Sequence, residues 1–144
     1  MITEKQQKVA AAAFAKRWEG KGYEKGESQT FWIELLTQIF DIETPSEFIK
    51  FEEKAHLDHT SFVDAMIHST HVMIEQKSLG KNLRQPIKQA DGTPLTPFEQ
   101  AQRYRLALPY SQQPRWIVTC NFAEFDIYDM ENPNGEPSRI LLKD

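Results

Sequence analysis

The chain has 144 residues, of which 17 are Lys or Arg and 21 are Asp or Glu, giving a net charge of −4. This length fits one domain, and 40% hydrophobic with 26% charged residues is typical of a globular protein rather than a disordered one. The charge excludes a basic nucleic-acid coat, the single cysteine excludes a disulfide framework and a thiolate zinc site, and no apolar run approaches the roughly 20 residues of a membrane helix. We therefore expect one cytoplasmic domain over residues 1–144, because a lone cysteine suits a reducing compartment.

Three helices are predicted from periodicity and capping. Residues 4–18 form the first, and a glycine-containing loop follows from Glu19 to Glu27. Ser28 is a suitable N-cap for a second helix over 29–40, which carries a broad apolar stripe. The segment Thr96-Pro97-Phe98-Glu99 has the pattern of a capping box and starts a third helix that runs to Leu108.

Apolar, β-prone segments predict strands between and after these helices. They lie at 48–54, on both sides of a polar break at 68–71 within 62–77, at 115–120 and at 124–129. Residues 78–96 read as a long loop, of the kind that is often functional. The order of elements predicts an α/β or α+β domain around a small mixed sheet. Because the chain ends in apolar residues without a terminating signal, we expect it to be cut from a longer protein.

The hairpin over 62–77 is the most informative feature. A two-residue turn at 69–70 and a four-residue turn at 68–71 give the same register, which places Asp64 opposite Glu75. Their Cβ atoms would then be about 4.5–5.5 Å apart on one face, where like charges destabilise a sheet. Lys77 lies on the same face, two residues beyond Glu75.

Two facing carboxylates need compensating positive charge. Lys77 can supply one charge, and a divalent cation would supply more; Mg²⁺ prefers oxygen ligands and often binds through one or two carboxylates plus phosphates. A divalent cation held by two carboxylates, together with a lysine, is the smallest set of groups that can hydrolyse a phosphodiester. The alternative is a solvated surface trio, which is commoner for an arbitrary Glu-x-Lys sequence.

These residues resemble a known nuclease motif. Phe62-Val-Asp64 together with Ile74-Glu75-Gln76-Lys77-Ser78 is similar to the PD-(D/E)XK motif, with Val63 in place of the proline. The segments Arg17-Trp-Glu-Gly-Lys-Gly-Tyr-Glu-Lys-Gly-Glu27-Ser-Gln29-Thr-Phe-Trp and Pro114-Arg-Trp-Ile-Val-Thr-Cys-Asn-Phe-Ala-Glu-Phe-Asp-Ile-Tyr-Asp129 resemble MmeI-like restriction–modification enzymes. The resemblance spans about residues 14–130, and its segments occur in the family's order.

The resemblance implies a restriction-endonuclease-like fold and the amino-terminal nuclease domain of a single-chain enzyme. Such enzymes also carry an adenine-specific DNA methyltransferase that uses S-adenosylmethionine, followed by a target-recognition domain. The methyltransferase motifs do not occur in this sequence, so that cofactor is expected only for the absent region. The expected partner is double-stranded DNA, with a transient dimer on DNA as a means of cutting both strands.

The resemblance also assigns roles to individual residues. Asp64 and Glu75 would ligate Mg²⁺, or Mn²⁺ as its substitute, with the main-chain carbonyl of Gln76 as a third oxygen. Lys77 would position the attacking water. Glu27 matches an acidic residue of the amino-terminal helix that often completes such sites. The alternative for Glu27 is a first-turn acid favoured by the helix dipole.

Three further residues are expected around the site. Gln29 lies in the same segment as Glu27. Gln100 and Tyr104 are spaced i, i+4 and resemble a Gln-x-x-x-Tyr element that faces the active site in related nucleases. The alternative for this pair is a packed tyrosine beside a surface glutamine.

Basic residues recur through the long loop after the hairpin. Lys81, Arg84 and Lys88 could contact DNA phosphates, or they could be the charged side chains of a solvated loop.

The preferred function is therefore a metal-dependent type II restriction endonuclease domain. The main alternative is a catalytically inactive, nuclease-like docking or regulatory module of a DNA methyltransferase. A free-standing, structure-specific nuclease is the third interpretation, and it predicts cleavage by this domain alone.

Overall fold

The computed structural model describes residues 2–56, 60–89, 92–132 and 134–143. Four α-helices occur in this part of the chain: α1 (Glu4–Trp18), α2 (Glu24–Gln38), α3 (Pro45–Phe48) and α4 (Pro97–Leu106). The first helix has the predicted bounds, and Thr3 and Thr96 both form capping boxes, with Gln6 and Glu99 respectively. The predicted start of the second helix is wrong, because α2 begins at Glu24 after Tyr23 and contains Ser28 in its interior.

The strands assemble into one large sheet and one small one. They are β1 (Lys50–His56), β2 (Thr60–Ile67), β3 (Val72–Gln76), β4 (Ile87–Lys88), β5 (Pro94–Leu95), β6 (Trp116–Cys120), β7 (Glu124–Asp129) and β8 (Ser138–Leu141). The large sheet has the order β1-β2-β3-β6-β7-β8, with β3 and β6 parallel and the other neighbours antiparallel. The mixed α+β architecture is confirmed. The predicted loop at 78–96 contains the short β4–β5 hairpin, and β8 was not predicted.

The two faces of the large sheet pack against different helices. Helices α1 and α2 cover one face with an aromatic core that includes Phe14, Trp18 and Phe31. Helix α4 covers the other face, where Ala101 packs with Met73 of β3. Because side chains alternate along a strand, Glu75 shares the α4 face with Met73, whereas Ile74 and Gln76 face α1 and α2.

None of the helices in the described residues is both long enough and apolar enough to cross a membrane.

Candidate active site

The β2–β3 hairpin brings two acidic side chains together. Its register pairs Ile67 with Val72 and Ala65 with Ile74, as predicted, so the next position places Asp64 opposite Glu75. Asp64 lies close enough to Glu75 to raise the pKa of its carboxyl group. Asp64 Oδ2 also accepts a hydrogen bond of 2.7 Å from the main-chain N–H of Gln76, which fixes its orientation toward β3.

Burial makes this carboxyl pair electrostatically unfavourable. Glu75 is only 2% exposed. Its pKa is raised well above the usual value, first by burial and then by the neighbouring Asp64, while Lys77 opposes the shift. The Glu75 carboxyl group therefore holds a proton more readily than an exposed glutamate does.

Lys77 forms an ion pair with Glu75. Its Nζ lies 3.3 Å from Glu75 Oε2, and its side chain is 11% exposed. Burial lowers the pKa of Lys77, but the carboxylates of Glu75, Glu24 and Asp64 raise it, and the net shift is upward. Lys77 is therefore held as an ammonium group, which can donate hydrogen bonds and stabilise negative charge but does not abstract a proton near neutral pH.

Helix α4 supplies the partners of this lysine. Lys77 Nζ donates a hydrogen bond of 2.9 Å to Gln100 Oε1, and Gln100 Nε2 donates one of 3.2 Å to the hydroxyl of Tyr104. Burial raises the pKa of Tyr104, so its hydroxyl stays neutral. The Gln-x-x-x-Tyr element thus lies next to the carboxylates, and Gln100 sets the direction of the Lys77 ammonium group.

Gln76 divides its groups between the two faces of the sheet. Its side-chain Oε1 accepts a 2.7 Å hydrogen bond from Trp32 Nε1, and its Nε2 donates to the carbonyl of Lys77. The side chain of Gln76 therefore lies beside α2. Only the main chain of Gln76 is directed toward the carboxyl groups of Asp64 and Glu75. A metal-ligand role for the main-chain carbonyl of Gln76 stays a prediction.

Glu24, at the start of α2, lies near the site because its main-chain N–H bonds to Ser78, the neighbour of Lys77; it was not among the predicted site residues. Burial raises the pKa of Glu24, Lys77 lowers it and Asp64 raises it, so the three groups interact electrostatically. Glu27 instead turns back along its own helix, where Oε1 accepts a 3.0 Å hydrogen bond from the N–H of Tyr23. Gln29, two residues further along the helix, is exposed.

Glu24 was missed because the helix start was placed too late. Placing the start after Tyr23 puts Glu24 beside Glu27 in the first turn, where the helix dipole favours an acidic side chain.

The basic residues of the long loop do not share one environment. Arg84 Nε lies 3.2 Å from Oδ2 of Asp126, a completely buried residue of β7. Lys81 and Lys88 are exposed, and the carbonyl of Lys81 accepts a hydrogen bond from Asn121. Whether these three residues contact phosphates stays a prediction, and Arg84 would have to share its guanidinium with Asp126.

Asp126 belongs to a polar row that crosses the same sheet face as Glu75. The register pairs Glu75 with Thr119, Thr119 with Asp126, and Asp126 with Arg139. Arg139 Nε lies 3.6 Å from Asp126 Oδ1, so guanidinium groups approach both carboxylate oxygens. This polar row was not predictable from local sequence patterns, because its members come from four separate segments.

Comparison with known proteins gives one match. The family model described as "MmeI, N-terminal domain" matches residues 9–144. No curated protein and no solved structure matches the chain.

Proposed function

Because the chain belongs to the MmeI N-terminal domain family, and with it to the restriction–modification enzymes, we propose that it is a magnesium-dependent nuclease domain that hydrolyses DNA phosphodiester bonds. The observation that carries this proposal is the buried Glu75 opposite Asp64, with Lys77 as the contacting cation. Such a pair reduces the stability of a sheet unless a ligand compensates its charge.

The donor set fits a hard divalent cation. Asp64 and Glu75 offer carboxylate oxygens, and Glu24 lies near enough to interact with both Asp64 and Lys77. Within the described residues, no three His, Cys, Asp or Glu side chains are already arranged to hold a metal ion. Asp64 and Glu75 would therefore hold Mg²⁺ together with the main-chain oxygen of Gln76 and a DNA phosphate, since Mg²⁺ is commonly bound by few carboxylates plus substrate. When bound, the cation would offset phosphate charge and lower the pKa of the attacking water.

The remaining roles follow from the contacts of the chain's own residues. The ammonium group of Lys77 would hold the attacking water or a phosphate oxygen and stabilise the charge that develops there. Gln100 would keep this ammonium group aimed at the carboxylates, and Tyr104 would hold Gln100 in place. Lys81, Arg84 and Lys88 would contact flanking phosphates of double-stranded DNA.

We further propose that this domain acts within a longer protein. An adenine-specific methyltransferase using S-adenosylmethionine would follow it in the chain, and two copies would meet transiently on DNA to cut both strands. This part of the proposal rests on the family and on the sequence resemblance, not on residues of the site.

Cleavage of supercoiled plasmid by the full-length protein tests the nuclease assignment. Asp64→Asn, Glu75→Gln and Lys77→Ala are each expected to reduce the Mg²⁺-dependent cleavage rate by roughly 10²–10³-fold, the usual effect of removing one stabilising group from an active site. Lys5→Ala, at an exposed position of α1, is the matched control and should cleave at the unmodified rate.

Undiminished cleavage by Asp64→Asn or Lys77→Ala would overturn the assignment. Failure of the unmodified protein both to cleave DNA and to bind Mg²⁺ or Mn²⁺ would favour the alternative, an inactive module that docks or regulates a methyltransferase.

A further inference from the structure

Helix α2 starts differently from the other two long helices. Helices α1 and α4 begin with threonine side chains that accept hydrogen bonds from their own first turns. Helix α2 begins after Tyr23, whose side chain makes no capping hydrogen bond. The first N–H groups of a helix lack partners within the helix, so α2 needs acceptors from elsewhere.

One acceptor comes from the residue that follows Lys77. The N–H of Glu24 donates a 3.0 Å hydrogen bond to Ser78 Oγ, across 54 positions of sequence. A second hydrogen bond, of 2.9 Å, runs in the opposite direction, from the N–H of Leu79 to the carbonyl of Gly22. These two bonds join the start of α2 to the end of β3, and we call them the Ser78 bridge.

Both sides of the Ser78 bridge are held by the end of β6 and the turn that follows it. The N–H of Lys77 donates to the carbonyl of Cys120 at 2.7 Å. A Cβ at Gly22, which has φ of +152°, would come within 2.5 Å of Phe122 Cδ2, so only glycine fits there without movement. Phe122 is fully buried and its ring contacts those of Trp18 and Phe31. The bridge is therefore anchored to the aromatic core.

The Ser78 bridge connects two groups of the candidate site. Ser78 is the immediate neighbour of Lys77, and the residue that it caps, Glu24, interacts with Lys77 and Asp64. We propose that Ser78 is a positioning residue, whose hydroxyl caps α2 from outside the helix and thereby holds the first turn of α2, with Glu24, against the end of β3 that precedes Lys77. The inference rests on the proposed metal-dependent function. It implies that Glu24 contributes to metal binding only when the Ser78 hydroxyl is present.

Mn²⁺ titration of the full-length protein, followed by calorimetry, tests this inference beside the cleavage assay. Ser78→Ala and Glu24→Gln should each weaken Mn²⁺ binding about tenfold, the lower end of what loss of a group supporting a metal ligand usually causes. The double variant should be no weaker than either single variant, because both changes remove the same contribution. Ser78→Thr keeps the hydroxyl and should restore binding.

Thr3→Ala is the matched control, since it removes a side-chain helix cap remote from the site. It should lower the melting temperature as Ser78→Ala does while leaving Mn²⁺ affinity unchanged. Additive losses in the double variant, or a Ser78→Ala protein that behaves like Thr3→Ala in both readouts, would overturn the inference.

The outcomes also separate this inference from the proposed function. A protein that shows the expected Mn²⁺ pattern but never cleaves DNA supports the role of Ser78 and contradicts the nuclease assignment. A protein that cleaves normally, and binds Mn²⁺ normally, after Ser78→Ala contradicts the role of Ser78 alone.

Discussion

Asp64 and Glu75 face each other across two antiparallel strands, and Glu75 is almost completely shielded from solvent. Burial and the neighbouring acid both favour the protonated form of Glu75, and Lys77 only partly opposes them. A sheet that served only as a scaffold would gain stability by replacing either acid. Residues that reduce stability are expected where activity requires them. The effect of each acid on the free energy of unfolding therefore indicates whether the pair is functional.

Replacing Glu75 by glutamine should stabilise the protein in the absence of divalent cations. A carboxyl group whose pKa is raised on folding contributes stability that is complete below its ordinary value of 4.5 and is lost as the pH rises through the raised value. Glu75→Gln removes this loss, so thermal unfolding in chelator at pH 7–8 should occur at a higher temperature. Each kcal/mol gained raises the melting temperature by roughly 2–4 °C in a domain of this size.

The control for this measurement is Glu43→Gln, at an exposed position, which should change the free energy of unfolding by less than about 0.5 kcal/mol. Mg²⁺ should raise the melting temperature of the unmodified protein but not that of Glu75→Gln. A lower melting temperature for Glu75→Gln in chelator would show that the glutamate is structurally favourable.

The two first-turn acids of α2, Glu24 and Glu27, should behave differently when neutralised. Glu24→Gln removes a charge that interacts with Asp64 and Lys77, and it should raise the Mg²⁺ concentration required for half-maximal cleavage by roughly 10-fold or more. Glu27→Gln retains an oxygen that can accept the hydrogen bond from Tyr23, so its Mg²⁺ requirement should be unchanged. A Mg²⁺ titration of the cleavage rate compares them, and the reverse ranking would restore Glu27 as the site residue.

The hairpin register was predictable because it depends on local rules. Turns of two and four residues give one register, and the alternation of side chains then determines which residues share a face with Glu75. The capping boxes at Thr3 and Thr96 are also local, since donor and acceptor lie three residues apart.

The start of α2 was not predictable in the same way. Ser28 is a better N-cap by residue type than Tyr23, but the helix uses Ser78, which lies far away in sequence. Glu27 was suggested by the family resemblance, and its role in the site stays a prediction. Strand β8 escaped notice for another reason: it is a short edge strand in which Ser138, Arg139 and Ile140 are all exposed, so it lacks a buried alternating pattern.

Removing the carboxylate of Asp126 and removing its two arginine partners, Arg84 and Arg139, should reduce stability by different amounts. Asp126 is fully buried, whereas Arg84 and Arg139 are partly exposed and can be hydrated when the carboxylate is lost. Removing both arginines leaves a buried charge without compensation, which typically destabilises by about 3–5 kcal/mol. Urea unfolding should therefore show a larger loss for the double variant Arg84→Ala, Arg139→Ala than for Asp126→Asn.

Arg115→Ala serves as the comparison for this series, because Arg115 pairs with Asp129 and Glu131 at the surface, where an ion pair contributes about 0–1 kcal/mol. If Asp126→Asn lost more stability than the double arginine variant, leaving the two arginines unpaired would be costlier than leaving the buried aspartate unpaired, which contradicts this prediction.

The most direct measurement is the position of bound Mn²⁺, located by anomalous scattering in crystals grown with a DNA duplex. We predict a peak between the carboxyl groups of Asp64 and Glu75, and its loss in Asp64→Asn. Well-ordered crystals saturated with Mn²⁺ that show no peak between these two side chains, or a peak only elsewhere, would contradict the account.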